Sequence, residues 1–145
     1  MSEMQRPWDD DFPIWDEVED HAGRKRTFEI TFLELELGYR LQAQEVGKEG
    51  LGYEFVAFSE TNPYNALGDL RGKMRSRMAT RHLTGEPGAY RMLHDVLQGR
   101  LAWDGGKEEV VMVVDGEVLD LENLARILQT HEGWNIEIRI TEPSD

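Results

Sequence analysis

Residues 27–46 read TFEITFLELELGYRLQAQEV, and how their alternation is phased decides the fold. Apolar and polar side chains alternate with the period of two that marks a strand with one buried face. The phase slips once. Phe28, Ile30 and Phe32 share one face, whereas Leu33, Leu35 and Leu37, followed by Tyr39, Leu41 and Ala43, share the other. One extra residue near Phe32–Leu33, as in a β-bulge, puts both sets on the core side and is the preferred reading. A turn at Gly38, closing a hairpin, is the alternative.

Outward from this stretch, GKEG at 47–50 is a turn and LGYEFVAFSE at 51–60 is the next strand. Asn62-Pro63 then opens a helix, because Asn is a good N-cap and Pro suits the first helical position. Tyr64, Leu67, Leu70, Met74 and Met78 form one apolar stripe along it. TGEPG at 84–88 closes the helical region, and AYRMLHDVL at 89–97 is a short helix or irregular. GRLAW, DGGK and EEVVMVV read as strand, turn and strand. Asp115-Gly116 makes a second turn, and Asp120 caps a helix that turns Leu121, Leu124, Leu128 and Ile127 inward. Gly133 stands where a helix-terminating glycine belongs. WNIEIRI at 134–140 reads as a closing strand with Trp134, Ile136, Ile138 and Ile140 on one face. The expectation is an α+β fold: a mixed or antiparallel sheet of about five strands with two main helices, in the order β-β-α-β-β-α-β. Val111, Val113, Leu124, Leu128, Ile136 and Ile138 are its expected shared core.

Residues 1–25 read as an acidic, aromatic N-terminal arm, and residues 26–145 as one α+β domain. PWDDDFPIWDEVED mixes acids with Trp8, Phe12, Ile14, Trp15 and Val18, and its prolines resist regular structure, so the arm either stays disordered until it meets a partner or packs its tryptophans on its own domain. The chain has 145 residues, 39% of them hydrophobic, enough for a core. It has no cysteine, which removes disulfides, thiolate metal sites and cysteine nucleophiles. The N-terminus has neither the basic nor the apolar region of a secretory signal, and no apolar run is long enough to span a bilayer. A reducing cytoplasm is the expected compartment. The net charge is -13, unevenly spread: one basic and eight acidic residues leave 1–22 at -7, residues 23–82 stand at +2, and 83–145 at -8.

GRLAWD, VVDGEVLDLENLARILQTHEGWNIEIRI and the earlier GYEF together resemble an uncharacterised bacterial domain family, a domain of unknown function. The resemblance covers roughly residues 26–141. Where that family often has a Ser-x-x-Glu helix cap, Asp120 and Asn123 stand here, a weaker capping box. The resemblance implies one fold and no activity, so it assigns no functional residues.

Catalytic signals are sparse. His21, His82, His94 and His131 have no partner at the i+4 spacing of a helical zinc pair, so no metal site is assigned. Asp104 and Asp115 end adjacent strands, but each precedes glycine in an ordinary turn, and hairpin geometry puts them at opposite ends of the second strand. Phosphate-binding glycine loops and the nucleophile elbow are absent from the sequence. No catalytic residue and no cofactor is assigned.

The remaining signal is RGKMRSRMATRH, residues 71–82, a basic segment in an acidic chain. On a helical wheel Arg71, Arg77 and Arg81 fall near the edges of the apolar stripe, while Lys73 and Arg75 point to opposite sides of the outer face. That is not a clean phosphate-tracking stripe. The first reading is a solvated face, the second a docking surface for an acidic segment such as the arm, with Trp8 and Trp15 laid over the guanidinium groups within one chain or between two in a homodimer. Nucleic-acid contact comes third. The function expected is a non-enzymatic cytoplasmic binding or adaptor protein whose acidic surface meets a protein partner, with no membrane role. Trp8, Trp15, Arg71, Lys73, Arg75, Arg77 and Arg81 are its expected partner-binding residues. A small enzyme using Asp104, Asp115 and histidines is the alternative.

Overall fold

A computed structural model describes residues 6–143. The chain is α+β with antiparallel sheets, and it divides into two compact units. The first comprises the described residues up to Gly47 together with Glu54–Ala79; the second comprises Lys48–Tyr53 and Thr80–Pro143. The sheets hold four, two and three strands, where the sequence led us to expect about five strands in one sheet.

The first unit opens with a short helix, α1 (Pro7–Asp11), and continues as a meander of β1 (Ile14–Glu19), β2 (Lys25–Leu35), β3 (Gly38–Glu45) and β4 (Glu54–Ser59), paired in chain order. The stretch assigned to a separate arm therefore supplies the edge strand of the sheet. IWDEVE alternates half-buried and exposed residues as it pairs antiparallel with β2, so Glu17 and Glu19 occupy the solvent side of the pleat and Asp16 its half-buried side.

The phase slip is a hairpin and not a bulge. Leu35 pairs with Gly38 across a turn made by Glu36 and Leu37. A turn inverts the parity of the alternation, which accounts for the slip without an inserted residue. Leu33, Leu35 and Leu37 consequently stand in solvent and not in the core. Gly38 is required where it is: at φ 153° a Cβ would collide with the Ser59 carbonyl oxygen.

Helix α2 (Pro63–Ala79) covers one face of this sheet. The Asn62 carboxamide oxygen accepts the Asn65 N–H at 3.0 Å, the expected N-cap. Ala66, Leu70, Met74 and Met78 are fully buried against Phe28, Ile30, Leu41 and Ala43 on the same side of the sheet, whereas Tyr64, assigned to the stripe, is exposed. The helix ends at Ala79, before the TGEPG turn.

At the other end of the same sheet face, Arg26 is buried between two carboxylates. Its Nε donates to Asp20 Oδ2 at 2.8 Å and its Nη1 to Glu45 at 3.1 Å. Burial pushes the Asp20 pKa up, but hydrogen bonds from Arg26 and from the backbone N–H groups of Arg24 and Ala22 outweigh it, so the net direction is down.

The second unit carries β5 (Leu83–Thr84), β6 (Arg91–Met92), β7 (Arg100–Asp104), β8 (Glu109–Val114), β9 (Glu117–Leu119) and α3 (Leu121–Gln129). Strands β5 and β6 form a small ribbon, and β7-β8-β9 form a sheet with β8 in the middle. Residues 89–97 are otherwise irregular. Asp120 caps α3 as expected, accepting the Asn123 N–H at 2.8 Å. A cluster of Leu83, Val114, Leu119 and Ile127 forms the core. Of the six residues expected in a shared core, Val111 and Val113 are buried, Leu124 and Leu128 are only half-buried because Ile127 is the α3 side chain that turns inward, and Ile136 and Ile138 are exposed. The last two are exposed because WNIEIRI is not a strand: residues 134–140 have no ladder partner among the described residues and follow the turn at His131–Gly133 as irregular chain.

Candidate functional site

An open concavity in the first unit runs along the outer edge of the sheet. Strand β1 pairs with β2 on one side only, because it is terminal in the strand order. Between its outer side and α2 lies an open cleft of about 570 Å³, lined by Trp15, Asp16, Glu17, Val18 and Glu19 from the strand and by Arg71, Met74 and Arg75 from the helix. The strand contributes five consecutive residues, and the helix contributes positions i, i+3 and i+4, which share one helical face.

Arg71 fixes the floor of this cleft. Its Nε and Nη2 donate to the two carboxylate oxygens of Asp16 at 2.8 and 3.0 Å, a bidentate pair. The hydrogen bonds from Arg71 to Asp16 raise the guanidinium pKa further. One acid of the supposed arm thus does meet one arginine of the basic segment, as neighbours in a folded sheet-and-helix layer. Arg75, by contrast, is exposed and makes no hydrogen bond or ion pair among the described residues. Trp15 is 57% exposed at the same cleft. The site is therefore an apolar ring and a free cation on either side of a neutralised pair, with Glu17 and Glu19 exposed on the strand side.

The other residues proposed from sequence go elsewhere. Trp8 does not lie on the basic helix face. Its ring makes edge-on contacts with Tyr39 and Tyr64 at 5.6 and 6.1 Å, and the Arg6 guanidinium stands 5.4 Å from its centroid. Tyr64 donates to the Asp11 carboxylate, which pushes its phenol pKa up to about 12 and helps hold α1 against the sheet. Lys73 Nζ donates to the Val56 carbonyl at 2.9 Å. Arg77 is exposed without a partner among the described residues. Arg81 belongs to the second unit, where its Nε donates to the Leu83 carbonyl at 2.7 Å. Trp15, Arg71 and Arg75 are brought together; Trp8, Lys73, Arg77 and Arg81 are not.

In the second unit, Asp115 is buried in its turn at φ 55°. Its Oδ2 accepts the backbone N–H groups of His82 and Leu83, both at 2.8 Å, and its Oδ1 lies 2.9 Å from His82 Nδ1. The carboxylate thereby ties the start of β5 to the β8–β9 turn. Asp104, at the far end of β8, accepts the Gly106 N–H at 3.0 Å within its own turn. The two aspartates do not converge. Among the described residues no group of three or more His, Asp or Glu side chains is placed to hold a metal ion.

The protein defined by this architecture is a two-unit α+β protein with an open edge-strand cleft. Residues 10–79 match the family model of a domain of unknown function, DUF7686, and residues 82–145 match that of a second, DUF7713. The sequence reading placed one family over 26–141; two models meet instead at the end of α2, close to the division between the compact units. No curated protein and no solved structure matches the chain. No described helix is long and apolar enough to cross a membrane.

Sequence reasoning missed the edge strand and with it Asp16 and Val18. The signal was present: in IWDEVE, Ile14, Asp16 and Val18 alternate with Trp15, Glu17 and Glu19, but the flanking prolines and the density of acids argued for an arm.

Proposed function

We propose that this protein is a non-enzymatic binding or adaptor protein whose first unit receives an extended segment of a protein partner along the outer edge of β1. The observation that carries this reading is the cleft itself: an edge strand with its outer side unpaired, faced by one side of a helix. Extended peptides add to such edges through main-chain hydrogen bonds, and the neighbouring side chains select the sequence. Here the selecting groups are Trp15 for an apolar side chain, Glu17 and Glu19 for basic ones, and Arg75 for a carboxylate. A basic partner is favoured, because a chain of net charge -13 steers it inward and repels acidic competitors. The cysteine-free sequence fits work in a reducing cytoplasm.

The test uses two synthetic heptapeptides, one alternating Lys and Val and one alternating Glu and Val, titrated against the full chain by NMR. The basic peptide should shift the amides of residues 14–19 and the Trp15 indole, with affinity falling as salt rises. Glu17→Lys with Glu19→Lys should weaken binding several-fold. No response in β1 to either peptide at millimolar concentration contradicts the proposal, and preference for heparin over the basic peptide would favour a nucleic-acid role instead.

A further inference from the structure

The second unit holds both halves of an unmade strand pairing. One half is the segment WNIEIRI. Trp134, Ile136, Ile138 and Ile140 alternate with Asn135, Glu137 and Arg139, and the four apolar side chains are 65–79% exposed. That is strand patterning without a ladder. The start of the segment is fixed: the Trp134 N–H donates to the His131 carbonyl at 2.9 Å, and the two rings meet edge to face at 5.2 Å. The other half is β7. It is an edge strand, paired only with β8, and its side chains Leu101 and Trp103 are 59% and 60% exposed. Register sets Trp103 opposite Val110, itself 52% exposed, so the uncovered side chains share one face of the sheet.

We infer that two copies of this chain associate by exchanging residues 134–140, each segment adding to the free edge of β7 in the other copy. Among the described residues every copy carries one strand-patterned segment without a ladder and one sheet edge, β7, without a second ladder neighbour, so a reciprocal exchange satisfies both at once and closes with twofold symmetry. The lengths agree. Seven extended residues span about 23 Å and the five of β7 about 17 Å, at ~3.3 Å per residue. The apolar faces agree as well, since strand addition in register sets Ile136 and Ile138 beside Leu101 and Trp103. A monomer exposing this much alternating apolar surface beside an open edge is prone to such pairing. A second copy is favoured over a foreign protein because the complementary half is already present on every molecule.

The experiment is sedimentation of the full chain from micromolar to millimolar concentration, with the variants Ile138→Lys and Trp103→Lys. Both side chains stand in solvent in the single chain, so neither substitution should unfold it, and circular dichroism verifies this. The full chain should pass from one-chain to two-chain mass, and each variant alone should remain a monomer or dimerise at least tenfold more weakly. Mixed, the two variants should form a heterodimer, because a tail-intact copy and an edge-intact copy still make one of the two exchanges. Face-to-face packing without exchange would give no such rescue. One-chain mass for the full chain throughout, failure of the mixture to rescue, or protection of residues 135–139 from amide exchange in a proven monomer would each overturn the proposal.

Discussion

The two units solve the same problem to different degrees. In the first, a helix of 17 residues lies on four strands, and Phe28, Ile30, Leu41, Leu70, Met74 and Met78 are sealed between them. In the second, a helix of nine residues and a two-stranded ribbon serve a sheet of three strands, and Leu101, Trp103, Val110 and the WNIEIRI side chains are left in solvent. The difference follows from what each segment can reach. A meander pairs each strand with its chain neighbour, so β1–β4 complete their ladder locally. The last patterned segment of the second unit forms no ladder, although β7 of the same unit presents an open edge.

The largest expected effect lies in the closed unit. Arg26→Ala leaves Asp20 and Glu45 buried without their cation, and should destabilise by about 3–5 kcal/mol in denaturant unfolding. A loss below ~1 kcal/mol would mean that water already compensates these carboxylates. Replacing Arg26 by Met together with neutralisation of both acids should cost far less, which separates the pair's net value from the penalty of breaking it.

Next come the two helices. Leu70→Ala should cost ~2–5 kcal/mol, and Ile127→Ala should fall toward the lower end of that range, since its surroundings are shallower. Leu128→Ala should cost less than Ile127→Ala, because Ile127 is the side chain turned into the core. The reverse order would show α3 rotated. Ile136→Ala should change monomer stability by under ~0.5 kcal/mol, the usual range for surface sites.

The acid limb of stability should also belong to the closed unit. The Asp20 pKa is lower in the folded chain than its ordinary value of 3.8. Its contribution is therefore complete above the ordinary aspartate range and is lost as the pH falls through the lower folded value. Asp20→Asn should flatten the decline of stability between about pH 5 and the folded value. An unchanged slope would move the acid sensitivity to other carboxylates. A smaller effect than breaking the Arg26 pair is expected at Asp115→Asn, which keeps an acceptor for the His82 and Leu83 N–H groups and should cost about 1–2 kcal/mol.

The sequence made local structure legible and left tertiary partners hidden. Asn62-Pro63 and Asp120 announce their helices because capping is chemistry within three residues. The period of two in residues 27–46 announces strands, yet a hairpin and a bulge shift the phase alike, and only the pairing of Leu35 with Gly38 separates them. The basic segment was read first as a solvated face and second as a docking surface, because its partner Asp16 lies 55 residues away along the chain. WNIEIRI shows the converse error: alternation reports that a strand could form, whereas pairing depends on an available edge. Of the candidate site, Trp15, Arg71 and Arg75 were legible as residue types. Their convergence was not, because it depends on β1 joining the sheet. Deleting residues 1–22 would accordingly remove an edge strand and unsettle the first unit, not uncover a masked helix.

Amide hydrogen exchange of the full chain at dilute, monomeric concentration tests the contrast between a closed and an open unit most directly. The account predicts slow exchange for the paired amides of β2, β3 and α2, intermediate exchange for β8, and fast exchange throughout residues 135–140. Protection of residues 135–139 equal to that of β2 and β3 under the same conditions would contradict it.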